Sequence, residues 1–415
     1  MIPSRWAAAL VFAMHGIVAG TLAARMPWIA QHVGVGSGVG KLGYALVMPA
    51  VGSLLTMPFA GRVVHRFGNR RSIQVLMSCW GLSLILISWA PSLPALAAAM
   101  FLGGAFAGTA DMAMNSEAIA VERELGRSIM SGLHGMWSIG GFAAGGIGWA
   151  MAHLGIDGRP HFAGIAVLVT AISILTYSVL TRPETASSAA PAGTAEEEDG
   201  PKFAFPRGIV LVIGLVGFAS VFAEASGADW SAIFLVNELG GAQATGAVAY
   251  ACFAGAMTIG RLTGDAVVGR FGPIRTVRVA GSLGVLGGVL ICVAGLSGQE
   301  IGRILAIGGF TLVGVGIAVV VPLAFSAAGH TAKTPAARAH AIAGVATVAY
   351  GAGLAAPGII GGIAGATSLT ASFAVVTVLI VVMTLAAPAL RGAGHGIDDE
   401  VTADAVAAGQ TPARA

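Results

Sequence analysis

Long stretches in which apolar side chains run almost without interruption alternate with short polar turns from one end of the chain to the other. Twelve such runs can be read, at residues 6–30, 41–64, 72–90, 94–119, 128–153, 161–181, 207–236, 243–268, 274–297, 301–328, 338–363 and 368–390. A helix needs about 20 apolar residues to cross the hydrocarbon core of a bilayer, so each run predicts one membrane span. The first begins just after Arg5 and ends near Leu22-Ala23-Ala24, much as a cleavable secretory signal would. Apolar character resumes beyond Arg25, and the run has a counterpart later in the chain, so it is expected to stay as a signal anchor.

Composition agrees with a lipid solvent. Of 415 residues, 56% are hydrophobic and only 10% charged, against roughly a quarter charged in soluble domains. Such a chain has too little polar surface to cover the apolar groups it would have to bury, which excludes an ordinary soluble domain. The formal charge of +3 does not point to nucleic acid, because the Lys and Arg residues fall in short loop clusters and form no basic face. Cys79, Cys252 and Cys292 all lie inside apolar runs without metal-ligand spacing, so neither a disulfide framework nor a metal site is expected.

Basic residues are retained on the cytoplasmic side of short membrane loops. With both termini cytoplasmic, most Lys and Arg residues fall at that one end of the spans, Arg261, Arg127 and Lys202 counted among them; the opposite end holds Lys41, Arg159 and Arg303. These are called below the basic end and the far end. Between Arg182 and Pro206 the pattern breaks into Ala, Ser and the acidic run Glu196-Glu197-Glu198-Asp199. Such a composition buries too little apolar surface to offset its ordering entropy, and predicts a solvated linker. The chain thus divides into a six-span bundle (1–181), a cytoplasmic linker (182–206), a second six-span bundle (207–390) and a cytoplasmic tail (391–415) expected to be disordered.

The two bundles repeat each other. Gly61-Arg-Val-Val-His65-Arg66-Phe67-Gly68-Asn-Arg70-Arg71 follows the second run, and Asp265-Ala-Val-Val-Gly-Arg270-Phe271-Gly272-Pro-Ile-Arg275 follows the eighth, with the Arg-Phe-Gly triplets 204 residues apart. Trp28 in the first run answers Trp230 in the seventh, and Arg127 with Gly140 answers Arg338 with Gly351. Three matches in one order indicate a duplication, and two parallel six-span repeats around a midplane site are a recurring transporter plan. The basic loop resembles the Gly-x-x-x-Asp-Arg-x-Gly-x-Arg-Arg signature of the major facilitator superfamily, with His65 where that family has Asp. The resemblance implies an all-α integral membrane protein of twelve transmembrane helices, and a monomer. It also implies a gate at the basic end formed by Gly61, His65, Arg66, Gly68, Arg70 and Arg71 with Asp265 and Arg270.

An ionisable residue within a span is costly and is by default a functional candidate. These are His15, Arg25, Asp111, Glu117, His134, Glu224 and Asp229. Helical spacing puts Gly104, Gly108, Asp111 and Asn115 on one face, which is expected to look into the bundle. The segment resembles the fourth span of the fucose permease branch; carried over, Asp111 takes the proton-relay role and Asn115 hydrogen-bonds the substrate. His134 lies at a similar depth, and whether it touches Asp111 depends on helix rotation. Trp137 and Ser138 on the same helix join a ring to a hydroxyl, a face suited to a hydroxylated substrate and equally to packing. Glu224 and Asp229 are five residues apart, about 140° of rotation, and cannot share a face. One is expected to line the cavity and the other to serve the outer gate. Glu224 joins Asp111 and His134 as a proton-coupling candidate; Arg25, Asp229 and Trp230 join Asn115, Trp137 and Ser138 as substrate contacts. Arg25 is expected to pair with one of the two acids, while His15 and Glu117 read as structural or gating groups.

Arg25-Met-Pro27-Trp28, His134-Gly-Met-Trp137-Ser138 and Glu224 followed five residues on by Asp229-Trp230-Ser231 also resemble a bacterial inner-membrane group of the superfamily that includes rhizopine-transport proteins, which implies a sugar, polyol or amino-inositol substrate. No nucleotide-binding glycine loop or Gly-x-Ser-x-Gly nucleophile is present, so neither a cofactor nor an enzyme is expected. The leading expectation is a proton-coupled symporter of the bacterial inner membrane whose partners are a small-molecule substrate, protons and the lipid bilayer. Two alternatives stand beside it: efflux by proton antiport, for which the expected proline-glycine pattern is displaced to Pro357 in the eleventh run, and a non-transporting membrane sensor.

Overall fold

The computed structural model describes residues 4–35, 38–125, 129–177, 206–332 and 334–393. The expected linker up to residue 205, the tail beyond residue 393, and Arg127 and Lys202 lie outside the described residues. Six helices build the first half: α1 (Ser4–His32), α2 (Val39–Phe67), α3 (Asn69–Ser88), α4 (Leu93–Leu125), α5 (Met130–His153) and α6 (Gly158–Tyr177). The second half holds α7 (Ile209–Ile233), continued by a π-helical turn (Phe234–Glu238), then α8 (Gln243–Phe271), α9 (Pro273–Leu296), α10 (Gln299–Ile317), α11 (Val320–Gly329), α12 (Pro335–Ala366) and α13 (Leu369–Leu385). Among the described residues there is no strand. Among the described residues, each of the twelve apolar runs is mainly helical.

The tenth run is broken, into α10 and α11 at Ala318-Val319. Pro322 explains the position, since its ring clashes with the carbonyl four residues earlier, that of Ala318, and it offers no N–H. The Ser220 hydroxyl on α7 donates to the nearby Ile317 carbonyl at 3.3 Å. The repeat spacing of 204 maps Ala318 onto Met114, within one turn of Asp111, so the break lies at the depth of the candidate site.

The duplication is visible in the backbone. Gly68 joins α2 to α3 at φ 76°, ψ 155°, and Gly272 joins α8 to α9 at φ 78°, ψ 160°. This region of conformational space is essentially closed to side chains with a Cβ, at a cost of about 1–3 kcal/mol. Gly68→Ala and Gly272→Ala are each expected to destabilise the protein by about that amount, as read by thermal unfolding in detergent. Gly61, in mid-helix with open space where a Cβ would go, is the control and should tolerate alanine.

The halves touch most closely at the far end. Gly40 packs backbone to backbone on Gly365, Gly43 on Gly361 and the Pro357 carbonyl, and Val47 reaches Gly358, so α2 and α12 are sealed there. Gln243 adds a hydrogen bond to Gln31 at 2.7 Å. Two turns further along α12 the contact ends: Gly353 and Gly351 face open space, and Leu54, Leu55 and Phe59 on α2 are exposed. On the other side of the seam α5 and α8 stay in contact, Phe142 lying against Gly255 and Leu262 against Gly135. Between α2 and α12 the halves are therefore closed at the far end and apart toward the basic end.

A polar cavity between the two halves

The opening leads to a set of polar groups contributed by α1, α4 and α5 from one half and α7, α8 and α12 from the other. Gly104 and Gly108 let α4 press on Pro49 and Ser53 of α2, which fixes its rotation and turns Asp111 inward. Beside Asp111 stands His15 of α1, within electrostatic reach of the carboxylate. The Trp137 indole N–H donates to His15 Nδ1 at 3.1 Å, and His15 Nε2 lies 3.3 Å from the Ala107 carbonyl. An indole nitrogen only donates, so His15 Nδ1 holds a lone pair and Nε2 carries the hydrogen given to Ala107. The three residues form a chain in which His15 is neutral and Trp137 is held in place.

From the second half comes an ion pair. Arg261 Nη2 meets both carboxylate oxygens of Glu224, at 2.8 and 2.9 Å, and its Nη1 donates to the Ser138 hydroxyl across the seam at 3.3 Å. Arg261 does not belong to the loop at the basic end where its charge had placed it. It lies ten residues, about 15 Å, inside the end of α8. Tyr350 of α12 completes the wall; it is 61% exposed to the opening and within electrostatic reach of Asp111 and Glu224.

Other expected residues lie elsewhere. His134 packs its ring on Phe12 at 5.3 Å and bonds the Met130 carbonyl of its own helix, so His15, not His134, is the histidine beside Asp111. Asn115 donates its amide to the Asp111 main-chain carbonyl at 2.8 Å. Arg25 pairs with neither Glu224 nor Asp229. It is 2% exposed and donates to the Ile156 carbonyl at 2.8 Å, next to Trp28, whose indole bonds Asp157. Both hold the turn between α5 and α6 against α1. Trp230 is wholly enclosed, and Glu117 is buried among Ala8, Phe12, Ile73 and Met114. At the basic end Arg70 bonds the Tyr177 carbonyl at 2.7 Å and lies over its ring, pinning α3 to α6 within one half. Asp265 is exposed and makes no ion pair among the described residues.

Two six-span halves enclosing charged groups at mid-membrane define a carrier that moves solute between its faces. The chain belongs to the Major Facilitator Superfamily, whose sequence profile matches residues 8–357. It is 35% identical to an uncharacterized MFS-type transporter of Yersinia pestis, over 92% of this chain and 94% of that one. It is 28% identical to the membrane protein MosC of Rhizobium meliloti, over 88% of this chain and 84% of that one. Among solved structures it is similar in fold to the nucleoside transporter NupG, with a TM-score of 0.71 at 14% identity over 94% of this chain and 99% of that one. A D-xylose–proton symporter gives a TM-score of 0.69 at 15% identity over 93% and 97%. The protein is a multi-pass membrane transporter of small molecules and not an enzyme.

Proposed function

We propose that the protein is a proton-coupled symporter that brings a small hydroxylated solute, of the sugar, polyol or amino-inositol class, across the bacterial inner membrane as a monomer with both termini cytoplasmic. On that orientation the basic end faces the cytoplasm and the described state is open inward. The observation that carries the reading is the contrast between the two cavity acids. Glu224 is neutralised by Arg261, whereas Asp111 makes no side-chain hydrogen bond or ion pair among the described residues and stands beside a neutral imidazole. An unpaired carboxylate at mid-membrane is costly unless it takes up a proton or a cation. Asp111 is thus suited to bind and release a proton as the cavity changes its access to water.

The wall supports that solute class. Trp137 offers an oriented ring face, Tyr350 a hydroxyl, and the Glu224–Arg261 pair both a donor and an acceptor, while the buried Ser138 hydroxyl holds Arg261 from behind. Asn115, one turn from Asp111, sits where a small rotation of its amide would reach a hydroxyl. Arg25 and Trp230, enclosed in this state, act at a distance from the solute. The loop Gly61–Arg71 with Asp265 and Arg270 forms the inner gate when the basic end closes.

The test is a pH-dye assay in proteoliposomes, with inward gradients of sugars, inositols and amino-inositols. An active solute should acidify the lumen, and Asp111→Asn should reduce that proton entry by at least tenfold while solute counterflow continues. Proton exit during solute entry would establish antiport instead, and undiminished coupling in the variant would remove Asp111 from the mechanism.

A further inference from the structure

The seam between the halves holds a second carboxylate that the cavity does not use. Asp229 lies on α7 five residues beyond Glu224 toward the far end, about 7.5 Å of helix rise. Unlike Glu224, it makes no hydrogen bond and no ion pair among the described residues. Its neighbour Ala228 packs with Ala23 and Ala24 of α1 and with Ala247, Tyr250 and Ala254 of α8, so this turn of α7 is wedged between the two halves. Tyr250, only 7% exposed, is the polar group of the cluster, within electrostatic reach of both Asp229 and Glu224. Its ring lies against Gly145 of α5 and its hydroxyl near Gly141, both in the first half.

Tyr250 of α8 is the titratable group within electrostatic reach of Asp229, and it is also within reach of Glu224. Around Ala228 and Tyr250, α1 brings Ala23 and Ala24 and α5 brings Gly141 and Gly145, none of which carries a charge. Arg25, the cation next to Ala24, is turned to the Ile156 carbonyl. Asp229 is partly exposed, and in such a seam its ionised form has no cation to offset the water it does lose, while the neutral acid needs only one acceptor. Opening the far end would admit water along α1 and α7 and remove the penalty.

We propose that Asp229 is a second proton-binding site, filled as the far end seals and emptied as it opens, so that proton occupancy at the seam biases which face is open. This rests on the alternating opening of the two ends that the carrier reading requires. A proton shifts a two-state equilibrium only through its different affinity for the two states, and the seam supplies that difference. Acid conditions favour the closed far end; alkaline conditions favour its opening.

The experiment needs no solute. Spin labels at Val33→Cys and Ala242→Cys, flanking the Gln31–Gln243 contact, report the far-end distance in protein whose Cys79, Cys252 and Cys292 are replaced by Ser. From pH 5 to pH 9 the ratio of short to long distances is expected to fall by about tenfold or more. Asp229→Asn, a neutral isostere, should hold the short distance throughout, and Tyr250→Phe should retain the response with a displaced midpoint. The proposal is overturned if Asp229→Asn keeps the full pH response, or if the unsubstituted background shows one distance at every pH. The dye assay separates the two readings: solute-coupled proton entry without any pH-dependent distance refutes the Asp229 site and leaves symport standing.

Discussion

Arg261→Gln is expected to lower stability by about 1–3 kcal/mol and to abolish solute uptake. The substitution leaves Glu224 inside the membrane without the bidentate donor that neutralises it, and also removes the bond to Ser138 that ties α8 to α5. Breaking a dry buried pair costs about 3–5 kcal/mol. Here the side chains are 25% and 22% exposed, so cavity water screens part of the loss and the lower range applies. The double variant Glu224→Gln, Arg261→Gln should recover most of the stability, since two neutral groups can still bond each other. Thermal unfolding of the three variants measures this coupling directly. An Arg261→Gln protein as stable as the parent would show that the pair contributes nothing.

Gly43→Val is expected to act on the conformational equilibrium. A Cβ at Gly43 would meet the Gly361 backbone and the Pro357 carbonyl, neither of which can move without separating α2 from α12. Overpacking of this kind costs about 1–3 kcal/mol, and the cost falls only on the state in which the far end is sealed. The ratio of closed to open should therefore fall by roughly 5- to 150-fold. The spin-label pair at Val33 and Ala242 would show the long distance become dominant. Gly361→Val, on the opposite wall of the same contact, should do the same; an unchanged distance distribution in both variants would mean that the glycine contact does not limit closure.

The spans, their duplication and the class of protein were legible because each depends on local pattern. Apolar length predicts a span wherever it occurs, and Gly68 and Gly272 mark turns that only glycine makes. The break in the tenth span was also legible in principle, since Pro322 sits within the apolar run. Pairings across the cavity were not, because they depend on helix rotation and on which half faces which. Arg261 lies inside the eighth run, yet the nearby basic loop made the basic end the simpler place for its charge. Only the approach of α7 reveals Glu224 as its partner. His15 carried no local sign of its bond with Trp137, 122 residues away. Tyr350 is one aromatic among many apolar neighbours until α4 and α7 place Asp111 and Glu224 before it. Arg25 misled in the opposite direction: a buried cation near two acids in the pattern gives its bond to the Ile156 main-chain carbonyl and lies within electrostatic reach of Asp157 instead.

On the proposed mechanism one cavity, lined by Asp111, Tyr350 and the Glu224–Arg261 pair, opens alternately to the two sides of the membrane. Its most direct test is the labelling of Tyr350→Cys, in the background lacking native cysteines, by a membrane-impermeant maleimide added to sealed vesicles of either orientation. The parent is predicted to react from the basic side, and the same protein carrying Gly43→Val from the far side. Reaction from one side regardless of Gly43, or from neither, would contradict alternating access through this cavity.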